Sequence, residues 1–125
     1  MSINEVNVIT LAYLGDAVYE LYVREYLIKK SPIKVNELQA KSKKYITAKS
    51  QALIVNSLLE ESFFNENEKN IIYRGRNYKR NMHPKNTDIV TYKWATGLEA
   101  VIGYLYLTSK ERLDLLMKKI LKEEE

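Results

Sequence analysis

The sequence predicts an all-α fold, a compact bundle of about six or seven helices. Apolar residues recur at spacings of three and four almost throughout, the period of a helix that buries one face. No run alternates over any length as a half-buried strand would. Residues that start and stop helices punctuate the chain at helix-length intervals.

Taken in order, the first helix is expected from about Asn7 to Lys29, ending at Ser31-Pro32 because proline disfavours helical geometry in the residue before it. Asn36 then caps a short helix, with Gln39 three residues on, running to about Tyr45. Thr47 caps the next, whose face Ala48, Ala52, Val55, Leu58 and Leu59 keeps the helical period. Asn65 and Glu68 have the spacing of a capping box for a helix through Ile71, Ile72 and Tyr73. The segment from Gly75 to Asn86 carries no apolar stripe and holds a glycine and Pro84, so at least its later part is expected as an exposed loop. Thr87 or Asp88 starts a long apolar helix, and Thr108 with Glu111 makes a capping box for the last, Ser109 to about Lys122.

A chain of 125 residues is long enough for one domain with a real core and too short for two, so residues 1–125 are expected to form a single domain. The absence of cysteine excludes disulfides, cysteine nucleophiles and thiolate zinc sites. With His83 the only histidine, an imidazole-rich metal site or a Ser/His/Asp triad is also disfavoured, which leaves oxygen-ligand chemistry. The N-terminus has neither the basic start nor the cleavage site of a signal peptide, and Asp16 and Glu20 interrupt the first apolar run. No stretch reaches the ~18 to 20 apolar residues of a membrane span, and a cytoplasmic protein is expected.

Within the apolar helices, two segments carry acid. Val8 to Val23 is uncharged apart from Asp16 and Glu20, and Trp94 to Leu107 is uncharged apart from Glu99. A carboxylate removed from water has to be neutralised, paired or bound to a cation. Two such acids brought together make a cation site; a hydroxyl, backbone amide or lysine satisfying each acid separately is the other reading. Gly15, Ala17, Gly97, Ala100 and Gly103 beside them favour a close approach of two helix backbones. Glycine inside a helix costs ~1 kcal/mol relative to alanine, so its presence there suggests a packing reason.

Net charge is only +4, but its distribution is uneven. From Lys69 to Thr87 there is no acid among Lys69, Arg74, Arg76, Lys79, Arg80 and Lys85, and Leu38 to Leu59 is likewise acid-free with Lys41, Lys43, Lys44 and Lys49. Such segregation is the footprint of a polyanion-binding face, although a lysine-rich solvated surface also accounts for it.

Together, Leu11-Ala-Tyr-Leu-Gly-Asp-Ala-Val18, Arg74-Gly-Arg-Asn77, Pro84-Lys-Asn86 and Thr96-Gly-Leu-Glu-Ala-Val-Ile-Gly-Tyr104 resemble, in order, the motifs of the ribonuclease III family, and more narrowly of its short Mini-ribonuclease III branch. The resemblance covers about Val8 to Leu107. It implies a helical endoribonuclease domain that forms a homodimer, binds Mg2+ and cuts double-stranded RNA. For the short branch it further implies maturation of the 23S ribosomal RNA precursor, with no small-molecule cofactor, no membrane and no appended double-stranded RNA-binding domain. Carried onto matching positions, Asp16 is the essential catalytic acid and Glu99 its metal-binding partner.

The chain departs from the longer members at Ala12 and Thr96, where they usually have glutamate and aspartate; the short branch resembles this chain at both places. Magnesium keeps several waters and needs only one or two carboxylates beside substrate phosphate oxygens, so two acids suffice chemically. Glu20, one turn after Asp16, either joins through water or is an ordinary surface or ion-paired glutamate. RNA binding then falls to the basic segment: Arg74, Arg76, Lys79, Arg80 and Lys85 for phosphates, Asn77 for 2'-hydroxyls or for fixing the loop, in keeping with recognition of A-form RNA by shape. His83 is read as a loop residue, and the tyrosines as core or dimer packing. A catalytically silent RNA-binding relative and a helical protein-interaction module are the competing classes. Retention of both acids speaks against the first, and the acid-free basic segment against the second.

Overall fold

The computed structural model describes residues 3–30, 34–79 and 88–122. A short 3-10 turn, Ile3–Glu5, precedes six helices: α1 (Val8–Lys30), α2 (Val35–Ile46), α3 (Ala48–Glu60), α4 (Glu66–Asn77), α5 (Ile89–Thr108) and α6 (Lys110–Leu121). Among the described residues there is no strand, as the unbroken helical period requires. No helix of the described residues is long and apolar enough to cross a membrane.

Helix α5 is the axis of the bundle, with α1, α3, α4 and α6 all packed against it. Its sequence explains this: it is apolar around most of its circumference, and Ala95, Leu98, Ala100, Val101, Ile102 and Leu105 are all buried. Leu11, Tyr19 and Val23 of α1, Val55 of α3, Ile72 of α4 and Leu113 and Leu116 of α6 close around it.

Most helix starts follow the local chemistry expected of them. Thr47 accepts from the Ser50 N–H at 3.1 Å, and Asp88 from the Thr91 N–H at 2.9 Å. Asn65 and Glu68 form the reciprocal capping box. Two starts differ. Helix α2 begins earlier than Asn36 would set it, because the Glu37 and Leu38 N–H groups already bond the Lys34 carbonyl, both at 3.0 Å. Asn36 instead accepts from the Glu37 N–H within the first turn. At α6 the cap is Ser109, which accepts from the Arg112 N–H at 3.2 Å, rather than Thr108. The Thr108 hydroxyl is engaged elsewhere, donating to the Tyr104 carbonyl of its own helix at 2.8 Å.

Helix α4 also departs from expectation. It continues past Tyr73 through Arg74, Gly75, Arg76 and Asn77, into the start of the segment whose later part is expected as loop. Gly75 is buried, and a Cβ there would lie 3.1 Å from both the Ala100 Cβ and the Gly97 Cα of α5. The glycine marks a helix crossing, so its lack of a side chain lets α4 extend along α5.

The same Glu68 that caps α4 is bound by α6. Arg112 donates from Nε to Glu68 Oε2 at 2.8 Å and from Nη2 to Oε1 at 2.6 Å, and it also reaches the Phe63 carbonyl at 3.1 Å. Glu68 is only 2% exposed, so this bidentate pair neutralises a carboxylate inside the bundle. The carboxylate holds the Arg112 guanidinium above its ordinary range.

Candidate active site

Helices α1 and α5 cross where both carry glycine. A methyl group on Gly15 would overlap the Glu99 carbonyl oxygen, and one on Gly103 would overlap the Leu11 carbonyl oxygen. The two backbones are therefore in contact along the stretch that bears the acids. Asp16 follows Gly15 directly, and Glu99 supplies the carbonyl against which Gly15 is seated.

Neither acid is deeply buried, contrary to what the apolar surroundings in the sequence suggest. Asp16 is exposed and Glu99 half-buried, so each acid lies on a part of its helix that the α1–α5 contact leaves at least partly open. Asp16 has no side-chain partner among the described residues. Behind the pair stands Tyr19, one turn after Asp16 and fully buried, whose hydroxyl donates to the Tyr45 carbonyl of α2 at 2.9 Å. Burial first, then Tyr45 and the Glu99 charge, push the Tyr19 phenol well above its ordinary range, so Glu99 is close enough for its field to be felt there.

At the two positions that depart from the longer enzymes, the structure has buried, small groups. Ala12 is 6% exposed, and Thr96 is 3% exposed with its hydroxyl donating to the Tyr92 carbonyl at 3.0 Å. Glu20 pairs with Arg24 at 2.7 Å in an i, i+4 bridge on the surface of α1. Among the described residues no group of three or more acids or histidines is arranged to hold a metal. Carboxylates such as those of Asp16 and Glu99 are hard oxygen ligands, of the kind that suit a divalent cation completing its shell with water and phosphate.

Of the basic residues, Arg74 and Lys79 are exposed and Arg76 is half-buried, with exposed Asn77 beside it at the end of α4. The Arg76 guanidinium lies 5.0 Å from the Tyr73 ring centroid and 4.7 Å from that of Trp94, and its Nε donates to Asn77 Oδ1 at 3.0 Å. Arg80, His83 and Lys85 lie outside the described residues. The Tyr73 contact is legible as an i, i+3 spacing. Trp94 carries no such signal, since it reaches Arg76 only through the packing of α5 on α4.

Residues 9–110 match the ribonuclease III domain family. The Mini-ribonuclease 3 of Staphylococcus aureus is 48% identical over 92% of this chain and 87% of its own length. That of Streptococcus pneumoniae is 45% identical over 94% and 92%. A crystal structure of a Fusobacterium nucleatum protein superposes with a TM-score of 0.83 at 32% identity, covering 96% of this chain and 95% of the other. The chain belongs to the ribonuclease III family, a class of helical endoribonucleases. Within that class it stands in the short Mini-ribonuclease 3 branch.

Proposed function

We propose that this endoribonuclease cuts double-stranded RNA with Asp16 and Glu99 as its metal-holding acids and magnesium as the metal. The observation that supports the reading is the glycine crossing of α1 and α5, which seats Gly15 on the Glu99 backbone and leaves the adjacent Asp16 exposed to solvent. When bound, magnesium lowers the pKa of a coordinated water and neutralises charge developing on the scissile phosphate. Exposed Asp16 offers its oxygens outward, where a phosphate can reach the same ion. Glu99 supplies the second carboxylate from the helix at the bundle axis. Ala12 and Thr96 contribute no charge, which leaves the remaining coordination to water and to the substrate.

Duplex binding falls to the end of α4 and the segment after it, through Arg74, Arg76, Asn77, Lys79, Arg80 and Lys85. Helix α2 also exposes Lys41, Lys43 and Lys44. On α1, solvent-facing Tyr13 (82% exposed), Leu21 (65%) and Ile28 (53%) line a face flanking Asp16. Apolar surface of this kind fits a homodimer in which two sites work on one duplex. The natural substrate in this reading is the 23S ribosomal RNA precursor in the bacterial cytoplasm, and this single domain both binds and cuts.

Purified protein incubated with an end-labelled RNA duplex tests the reading, with magnesium or with chelator. Internal cuts that require magnesium are expected. Binding without cuts under any divalent metal would instead mark a catalytically silent relative. Neutralising Arg74, Arg76, Lys79 and Lys85 together should flatten the dependence of log affinity on log salt, since each phosphate contact contributes to that slope.

A further inference from the structure

We infer that Tyr73 and Trp94 hold Arg76 as a preorganised ligand for an RNA phosphate, so that Trp94 is a positioning residue for duplex binding. The inference rests on the end of α4 being the RNA-binding face. Three contacts orient the Arg76 guanidinium: the Tyr73 ring at 5.0 Å, the Trp94 ring at 4.7 Å, and the Asn77 amide oxygen, which accepts from Nε at 3.0 Å. Its terminal nitrogens have no acceptor among the described residues, and no described carboxylate pairs with it. Arg24, Lys69, Arg112 and Lys119 each have an acidic partner. A guanidinium whose face is packed and whose outer edge is unused is shaped to accept an anion in its planar fork.

The stack does two things that charge alone does not. Ordering the side chain in advance removes part of the rotamer entropy that binding would otherwise cost. It also ties the phosphate ligand to the helix of the site, because Trp94 and Glu99 both belong to α5, about 7.5 Å apart along its axis at 1.5 Å per residue. Exposed Arg74 and Lys79 have no ring contact among the described residues and supply charge without that registration.

Duplex affinity and single-site kinetics of Arg76→Lys, Trp94→Leu and their combination test this. Each single change should weaken binding about two- to fivefold, the range of a cation–π contact of ordinary strength. The double variant should be no weaker than the weaker single, because both remove one stack. The loss should fall on Kd and KM, with kcat moved less than twofold, and Trp94→Phe should restore most of the affinity. Combined with Arg74→Lys, Trp94→Leu should be additive. Additive losses for Trp94→Leu with Arg76→Lys, or a fall in kcat with affinity intact, would overturn the inference and leave Trp94 as a packing residue of α5. Should Trp94→Leu fail to fold, Arg76→Lys still decides: unchanged affinity means that charge alone matters there. If neutralising Arg74 and Lys79 also leaves the salt slope unchanged, the binding face itself lies elsewhere. If that slope flattens while Arg76→Lys and Trp94→Leu bind normally, only the role of the stack is lost.

Discussion

At the scale of single residues, the exposure of Asp16 separates catalysis from stability. Its carboxylate faces solvent and has no partner among the described residues, so Asp16→Asn should abolish cleavage with RNA binding and thermal midpoint nearly unchanged. A folded variant that turns over normally would remove Asp16 from the site. Glu99→Gln should show a similar loss, recoverable in part at high magnesium or manganese if metal affinity is what it supplies. Gly15 behaves in the opposite way. A methyl group there meets the backbone of Glu99, which cannot swing aside as a side chain tip would, so Gly15→Ala should destabilise the fold by about 3 kcal/mol or more. A denaturant midpoint equal to that of the wild type would be incompatible with so close a crossing of α1 and α5.

Between elements, the Arg112–Glu68 and Tyr22–Asp114 contacts each join helices that are distant in sequence. Arg112 and Glu68 bind α6 to α4, and Glu68 also caps α4, so Arg112→Met leaves a buried carboxylate with only its cap. A loss of about 3 kcal/mol is expected from equilibrium unfolding. Replacing both partners by apolar residues should recover part of it, since the desolvation cost disappears with the charges. Tyr22 of α1 donates to Asp114 Oδ1 of α6 at 2.9 Å. Partial burial first, then the Asp114 carboxylate, with smaller contributions from Glu25 and Tyr106, push its phenol up to about 12. A raised folded-state value means that the unfolded chain loses this proton first. The contact is therefore fully stabilising below the ordinary phenol value of 10.0, and its contribution is lost as pH rises toward about 12. Unfolding midpoints between pH 9 and pH 12 should fall less steeply for Tyr22→Phe than for the wild type; parallel curves would assign the alkaline loss to other tyrosines.

For the molecule as a whole, the prediction concerns assembly. A homodimer with one Asp16/Glu99 site per subunit should cut both strands of a bound duplex, and a heterodimer of wild-type and Asp16→Asn subunits should nick one strand only. The exposed apolar face on α1 beside Asp16 motivates this. Light scattering that finds a monomer at assay concentration, still making both cuts in one binding event, would exclude it.

What the sequence determined by itself is local or periodic. The all-α class, the caps at Thr47, Asn65 and Asp88, and the two acids embedded among small residues all follow from neighbours within one or two turns. Gly75 shows where such reasoning stops: a glycine in a polar stretch signals a loop, yet here it lets α4 run on against Gly97 and Ala100 of α5. The exposure of Asp16, the stack of Arg76 on Trp94 and the neutralisation of Glu68 by Arg112 were likewise decided by tertiary structure. Each depends on which faces of two helices meet, and that choice is made by the burial of the whole apolar surface around α5, which no short window of sequence contains.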